Sequence, residues 1–239
     1  MMDSETPNGN ACTKSQHFDD KLRHSLAVIS KALEKYKLEQ IFLSFNGGKD
    51  CTVLLHLVHK LLKSRPNPHN DTLLCIYLQP GQPFDEVESF VSDCSRTYFP
   101  IIIKPGLGTK QDALFSICND YPNLKACFMG CRRTDPYCHE LSDFEMTTKG
   151  WPELMRINPL LDWTCDDIWN YLRNYDVPYC SLYDIGYTSL GDRTNTVQNP
   201  HLKYLNSKTG KEEYRPAYHL KNADALERIG RFTRPHNGS

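Results

Sequence analysis

Positive charge is not in surplus in this sequence: 28 Lys and Arg stand against 29 Asp and Glu, a formal net charge of −1. Sequence-independent binding to nucleic acid or to an acidic membrane wants a clear basic excess, so neither is expected as a partner. No apolar run approaches the length that crosses a bilayer. The opening "MMDSETPNGNACTKSQ" lacks both the apolar core of a secretory signal and an Arg-rich amphipathic pattern, so a cytoplasmic protein is expected. Ten cysteines are present, yet no C-x-x-C occurs and none follows Cys180. They are scattered and several lie in apolar runs, Cys75 in "LLCIYL" and Cys127 in "KACFMG". They read as free core thiols of a reducing compartment rather than a disulfide framework. The nine histidines show no metal-ligand spacing. No repeat or low-complexity tract occurs.

What is present is a regular alternation. Residues 1–16 are polar and expected to be a disordered tail, leaving 17–239 as one domain. Phe18, Leu22, Leu26, Ile29 and Leu33 then form one stripe of an amphipathic helix. Four strand candidates follow: "IFLSF" (41–45), "TLLCIYLQ" (72–79), "PIIIKP" (100–105) and "KACFMG" (125–130). The first three lead into helical patterns at 50–63, 84–98 and 109–120. Strands this apolar on both faces, spaced by helices, predict a three-layer α/β domain with a mostly parallel sheet covered on both sides. Right-handed crossovers place the strand-to-helix loops at one sheet edge, where ligands of open α/β sheets bind. Beyond 131 the pattern loosens. Residues 131–163 and 180–216 read as long structured loops, which are usually functional. A helix is predicted near 164–174, opened by Thr164 and Asp167 in capping positions, and a last one over 218–231.

The candidate ligand loop is "SFNGGKDC", between the first strand and its helix. Glycines let backbone N–H groups turn toward an anion, and the helix N-terminus adds partial positive charge. A Gly-Gly pair alone would mean only a tight turn, but the strand before it and the helix after it fit anion binding. The loop is not G-x-x-x-x-G-K-[ST], because Lys49 directly follows Gly48 and precedes Asp50. Nor is it G-x-G-x-x-G.

The loop resembles the PP-loop of ATP pyrophosphatases, with Asn46 added and Cys51 where Ser is usual. Downstream, "GCRRTDP" (130–136), "GWPELMRINPLLDWTCDDIWNYL" (150–172), "VPYCSLYDIGYTSLGDRTNTVQNP" (177–200) and "YRPAYHL" (214–220) resemble the eukaryotic FAD synthases of the PAPS reductase-like type. The likeness runs from about 17 to 231 and is to the single-domain form. It implies an adenine nucleotide alpha hydrolase-like fold, a nucleotide-binding core over 17–136, and a flavin-pocket and C-terminal region over 137–239. It also implies a nucleotidyltransferase: FMN takes the adenylyl group of magnesium-ATP directly and in line, giving FAD and pyrophosphate. An FMN phosphate is already an anion, so such catalysis rests on positioning and charge neutralisation rather than on a base.

Carried onto this sequence, the likeness places the β- and γ-phosphates against Ser44, Asn46, Gly47, Gly48, Lys49 and Asp50. Gly130, Arg132 and Arg133 face them from the fourth strand's loop, with planar guanidinium forks suited to phosphoryl oxygens. Either arginine alone also reads as a surface ion pair. Asp135 is the candidate magnesium carboxylate, although "TDP" taken alone is an Asx-type turn before Pro136. Asp50 alone is a helix-start carboxylate favoured by the dipole. Arg228 and Arg231, one helical turn apart, match a family pair that reaches the phosphates; taken alone they are a solvated helix end. Asn46, Asp50, Asp135, Arg228 and Arg231 are thus the expected catalytic set. Trp151, Arg156 and Asn158 are expected to bound the flavin, whereas Trp163 and Trp169 suit core packing. Thr148 stands where the family pattern carries an acidic residue, which is expected to alter flavin affinity. A monomer is expected, with FAD handed to client flavoproteins.

Three other readings compete. A thiol-dependent PAPS reductase needs a reactive cysteine in its C-terminal tail, and none follows Cys180. A tRNA-thiolating enzyme commonly wants paired cysteines and a basic surface, and both are missing. A catalytically idle nucleotide- or flavin-binding module shares the loop, and the retained site residues speak against it.

Overall fold

Strand β1 (Ile41–Phe45) alternates its side chains across the centre of a sheet and so needs cover on both faces. The structure is a computed structural model describing residues 9–66, 72–106 and 108–232. β2 (Leu74–Gln79), β3 (Ile101–Pro105) and β4 (Ala126–Phe128) join β1 in parallel, in the order β3-β2-β1-β4. β5 (Phe144–Met146) and β6 (Met155–Ile157) extend the sheet beyond β4, with β6 parallel to β4 and β5 antiparallel at the edge. Leu43 lies opposite Cys75 of β2 and Phe128 of β4. A separate hairpin pairs β7 (Lys203–Leu205) with β8 (Glu212–Tyr214).

The alternation divides the core. Ile41, Leu43 and Phe45 join Cys75, Tyr77, Ala126 and Phe128 in a cluster with α1 (Gly9–Lys35), α2 (Lys49–Lys63), α3 (Asp85–Thr97) and α5 (Cys165–Asn174). Phe42, Ile76 and Cys127 point the other way, onto Ile117 of α4 (Lys110–Asp120) with Leu124 and Leu154. The three-layer mostly parallel sheet is therefore present, with four helices on one face and α4 on the other. That asymmetry follows from handedness: β1, β2 and β3 step one way, and α4 then carries the chain back across β1 to β4. The reversal puts the switch point between β1 and β4. α2 is buried on most of its surface, through Val53, Leu54, Leu55, Leu57 and Val58. Each such side chain contributes roughly 1.5–3 kcal/mol, so the loop that begins α2 hangs on one of the firmest elements.

Trp163 and Trp169 are core residues, as expected. The Trp163 indole N–H donates to Ser25 Oγ of α1 (2.8 Å), and the Ser25 hydroxyl donates to the Pro159 carbonyl (2.7 Å). The Thr164 and Asp167 capping box opens α5. The cysteines other than Cys12 are unbridged, and seven of them (Cys51, Cys75, Cys94, Cys127, Cys138, Cys165 and Cys180) are buried.

Three expectations are corrected. Residues 9–16 of the expected tail belong to α1, since extending a formed helix adds one hydrogen bond per residue; residues 1–8 lie outside the described residues. The long loop 131–163 contains β5 and β6, strands of three residues that exist because an open sheet edge lies beside β4. The last helix is not continuous over 218–231. It breaks into a single turn at Ala217–His219 and the four-residue α6 (Ala223–Leu226), because Asn222 takes a left-handed φ of 53°. Gly230 is then pinned to residue 197, with Val197 N–H donating to its carbonyl (2.9 Å).

Candidate active site

The chain leaves β1 at Phe45 and enters α2 at Lys49 through Asn46, Gly47 and Gly48. Gly47 sits at φ 71°, and a Cβ there would lie 2.9 Å from Val87 Cγ1. Conformation and space both demand glycine. Asn46 Oδ1 accepts from the Gly48 N–H (2.8 Å) and from the Cys51 thiol (2.7 Å), so Asn46 folds the loop back on itself. Burial pushes the Cys51 thiol up to about 12, so it acts here as a neutral donor. The Lys49 N–H donates to the Tyr183 hydroxyl (2.9 Å) and the Thr52 N–H to Gly48 O (3.0 Å). Among the described residues the Asp50 and Cys51 amides have no acceptor, the usual state of a helix's first turn and a ready anion site.

These amides border a cleft of about 510 Å³ at the β1–β4 switch point. Ser44, Asn46, Gly48, Lys49, Asp50 and Cys51 form its loop side. Tyr77, Leu78, Pro80 and Phe84, at and after the end of β2, give a largely apolar wall. Gly130, Cys131 and Asp135 stand beyond β4, with Lys110 at the start of α4. Gly130 is required by closeness: a Cβ there would meet Cys51 Cα and N at 2.9 Å. Tyr183, residues 189–192, Asn195, Arg228 and Arg231 close the remaining side, so residues from beyond 137 also line the cleft beside the loop.

Two expected phosphate ligands are elsewhere. Arg132 is 1 % exposed and absent from the cleft lining. Its Nε lies 2.6 Å from Asp50 Oδ1, its Nη1 lies 2.9 Å from Asp224 Oδ1, and its Nη2 donates to Glu227 Oε1. Three carboxylates satisfy the guanidinium, so it turns inward. Arg133 also points away, with Nε 2.5 Å from Asp162 Oδ1 and Nη1 donating to the carbonyls of His139 and Leu141. Lys49 borders the cleft, but its ammonium is buried against Glu227 Oε2 (2.6 Å) and Asp50 Oδ2 (3.0 Å). Burial alone would pull its pKa down; Asp50 and Glu227 outweigh that and hold it well above the usual lysine value. Burial likewise opposes ionisation of Asp50, yet Lys49 and Arg132 keep its carboxyl below the usual range. Both Asp50 oxygens are occupied.

Asp135 is in the cleft. Its Oδ2 accepts from the Arg132 N–H (2.9 Å), while Oδ1 is 3.7 Å from Arg228 Nη1. Burial, followed by the nearby Asp50 and Glu227 charges, raises its pKa despite that amide bond. Arg228 and Arg231 also reach the cleft, but from the turn after α6 rather than from one helical face. Arg231 lies over Gly191 and donates from Nη1 to the Leu190 carbonyl, while its Nε is buried without a partner among the described residues.

The flavin candidates separate. Thr148 and Trp151 are exposed at the turn between β5 and β6, where the Trp151 N–H donates to Thr148 O (3.1 Å). Gln111 of α4 donates to Gly150 O in the same turn, next to the cleft residue Lys110. Arg156 Nη2 is 3.8 Å from the Sγ of Cys131, a cleft residue. Asn158 is fully buried, accepting from the Cys131 thiol (3.2 Å) and donating to Ser142 O (2.8 Å), and does not line the cleft. Sequence reasoning missed Asp224, Glu227, Tyr183 and the 189–195 segment. The last had a signal in its Gly- and Asn-bearing "TSLGDRTN"; Glu227, between Leu226 and Arg228, had none.

The phosphoadenosine phosphosulfate reductase domain family matches residues 40–116 and 109–198. A probable FAD synthase of Schizosaccharomyces pombe is 39% identical over 216 residues, covering 89% of this chain and 79% of the yeast protein. The chain belongs to the FAD synthase family. A probable FAD synthase of Caenorhabditis elegans is 40% identical over 215 residues, 90% of this chain. The chain spans only 41% of the length of that family member. The crystal structure of Candida glabrata FMN adenylyltransferase in complex with FAD and inorganic pyrophosphate superposes with a TM-score of 0.83 at 25% identity, over 97% of this chain and 93% of that one.

Proposed function

We propose that this chain is an FMN adenylyltransferase that joins the adenylyl group of ATP to the phosphate of FMN. An oxygen of the FMN phosphate attacks the α-phosphorus in line, the bond from that phosphorus to the bridging oxygen breaks, and pyrophosphate leaves. The observation that carries the reading is one cleft bordered by unpaired first-turn amides, Arg228, Arg231 and Asp135, in a chain of the FAD synthase family. The Asp50 and Cys51 amides and the α2 dipole suit the β- and γ-phosphates. Arg228, Arg231 and Lys110 supply positive charge, and Arg231 Nε, without a partner among the described residues, is a donor that a phosphate oxygen would satisfy. Tyr77, Leu78, Pro80 and Phe84 offer the apolar wall that an adenosine needs. Trp151 and Arg156 remain candidates for the flavin side. Asp50 acts through the loop, its oxygens being taken by Lys49 and Arg132.

The donor set fits magnesium. Asp135 Oδ1 is a hard oxygen ligand in the cleft, and this cation is commonly held by one or two carboxylates plus substrate phosphates. When bound it would neutralise triphosphate charge. A monomeric state, action in the cytoplasm and delivery of FAD to client flavoproteins belong to the same proposal.

The test incubates purified protein with FMN, ATP and magnesium and separates the flavins by chromatography, with riboflavin in parallel. FAD from FMN alone, with pyrophosphate released one for one, is expected. Flavin or nucleotide binding without FAD would replace the proposal by the idle binding module, and Thr148→Asp would then test whether the missing carboxylate is the cause.

A further inference from the structure

Glu227 has no part in the chemistry above, yet it is 3 % exposed, as is Lys49, and Arg132 is 1 % exposed. Its Oε2 lies 2.6 Å from Lys49 Nζ and its Oε1 accepts from Arg132 Nη2. One carboxylate thus grips the first residue of α2 and the loop after β4 at once. Its backbone is fixed too: the N–H donates to Ala223 O (2.8 Å), and the carbonyl accepts from the Thr188 hydroxyl (2.6 Å). Asp224, one turn earlier, takes the third arm of Arg132 and the Cys165 N–H at the start of α5 (2.7 Å). The next residue in the chain is Arg228, and Arg231 follows, both bordering the cleft.

We propose that Glu227 is a positioning residue for adenylyl transfer: by clamping Lys49 and Arg132 it sets where Arg228 and Arg231 stand relative to the phosphate loop. The proposal rests on the FMN adenylyltransferase reading. A buried ion pair is weak evidence for stability as such, since apolar packing often does as well. A carboxylate shared by two cations from separate segments does something packing does not, which is to fix one geometry among three pieces of chain. α6 is four residues long, too short to hold its place by helix stability; Asn199 and Val197 tie the segment's backbone through the Leu226 and Gly230 carbonyls, and Glu227 adds the side-chain tie to Lys49 and Arg132.

The test uses the full chain and the near-isosteric Glu227→Gln. The cluster holds Lys49 and Arg132 against Asp50, Asp224 and Glu227, so the change takes its formal charge from −1 to 0 and leaves no cation unpaired. The expected result, at a temperature where circular dichroism shows a folded protein, is a kcat lowered roughly 10²-fold, the order that a 1 Å misplacement costs. KM for FMN stays within about twofold. The decisive readout is the combination with Arg228→Ala and Arg231→Ala: if Glu227 acts through the arginines, adding Glu227→Gln to that pair costs nothing further. Unchanged kcat in Glu227→Gln, or a loss that multiplies fully in the arginine-free background, overturns the proposal. Should Glu227→Gln not fold, Glu227→Asp keeps the charge on a shorter arm; a smaller kcat loss with the same non-additivity is expected, and full activity or full multiplication overturns it. Wild-type protein that makes no FAD would remove the underlying function, whereas active wild type with a fully active variant removes only the role of Glu227.

Discussion

Replacing Arg132 by methionine separates the two roles open to this arginine. As a phosphate ligand its loss would harm ATP handling in a stable protein; as the inward hub seen here its loss should first harm stability. Arg132→Met removes the partner of Asp50, Asp224 and Glu227 together. Asp50 keeps Lys49, and Asp224 keeps the Cys165 amide and partial exposure. Glu227, its side chain 4 % exposed, keeps only Lys49. Taking one member from a buried pair costs about 3–5 kcal/mol. In a protein of this size 1 kcal/mol moves Tm by about 2–4 °C, so a fall of roughly 6–20 °C is expected. Thermal and urea unfolding followed by circular dichroism measure it, with Arg132→Lys as the variant that keeps the charge but loses the fork. FAD formation is then followed below the transition. A Tm within about 2 °C of wild type, together with a large rise in KM for ATP, would refute the reasoning and return Arg132 to the phosphates.

Three further outcomes are expected. Asp135 has a raised folded pKa, so the stability linked to its proton is present at low pH and lost as pH rises through that value; at neutral pH Asp135→Asn should raise Tm while lowering FAD formation, and a lower Tm in thermal unfolding would contradict this. Gly130→Ala drives a Cβ to 2.9 Å from Cys51 backbone atoms, so steady-state FAD formation should fall roughly 10²-fold in a protein that circular dichroism still finds folded. Burial, then neighbouring lysines, holds His56 and His59 below the ordinary value of 6.5, so the stability they contribute is present above 6.5 and lost as pH falls. The drop in urea midpoint between about pH 7.5 and about pH 5.5 should shrink in the His56→Gln, His59→Gln double variant, and an undiminished drop would remove these two groups from the account.

The parts legible in the sequence are those whose cause is local. The apolar runs at 41–45, 72–79 and 100–105 became β1, β2 and β3 because nothing but a covered parallel sheet buries both faces. The Gly-Gly turn was legible for the same kind of reason, lying between β1 and α2 with Gly47 at a positive φ. β5 and β6 were hidden because "FEM" and "MRI" carry no period; β6 is decided by its partner β4, and β5 by β6. The C-terminal pattern over 218–231 read as a helix, but Asn222 and the bond from Val197 to Gly230 break it. The inward placement of Arg132 was not legible because its burial depends on carboxylates 82, 92 and 95 positions away. Beside "TDP" an inward arginine and a phosphate-facing one spell the same.

That inward placement changes the electrostatic account of the cleft. Counted along the sequence, Lys49, Arg132 and Arg133 would confront a triphosphate with three cations. In the folded chain Lys49 and Arg132 are matched internally by Asp50, Asp224 and Glu227, and Arg133 by Asp162. Under the proposed function, attraction for phosphate would come from the loop amides, the α2 dipole, Lys110, Arg228 and Arg231, with Asp135 opposing it in the absence of a cation. Such a site holds no fixed surplus of buried positive charge. If the chain transfers an adenylyl group as proposed, such a site would suit a substrate that arrives with its own metal and a product pyrophosphate that has to leave, because tight binding of the leaving group would lower KM without raising kcat. The arginines that remain stand on a short segment rather than in the core, so how firmly that segment is fastened decides how much charge the cleft presents.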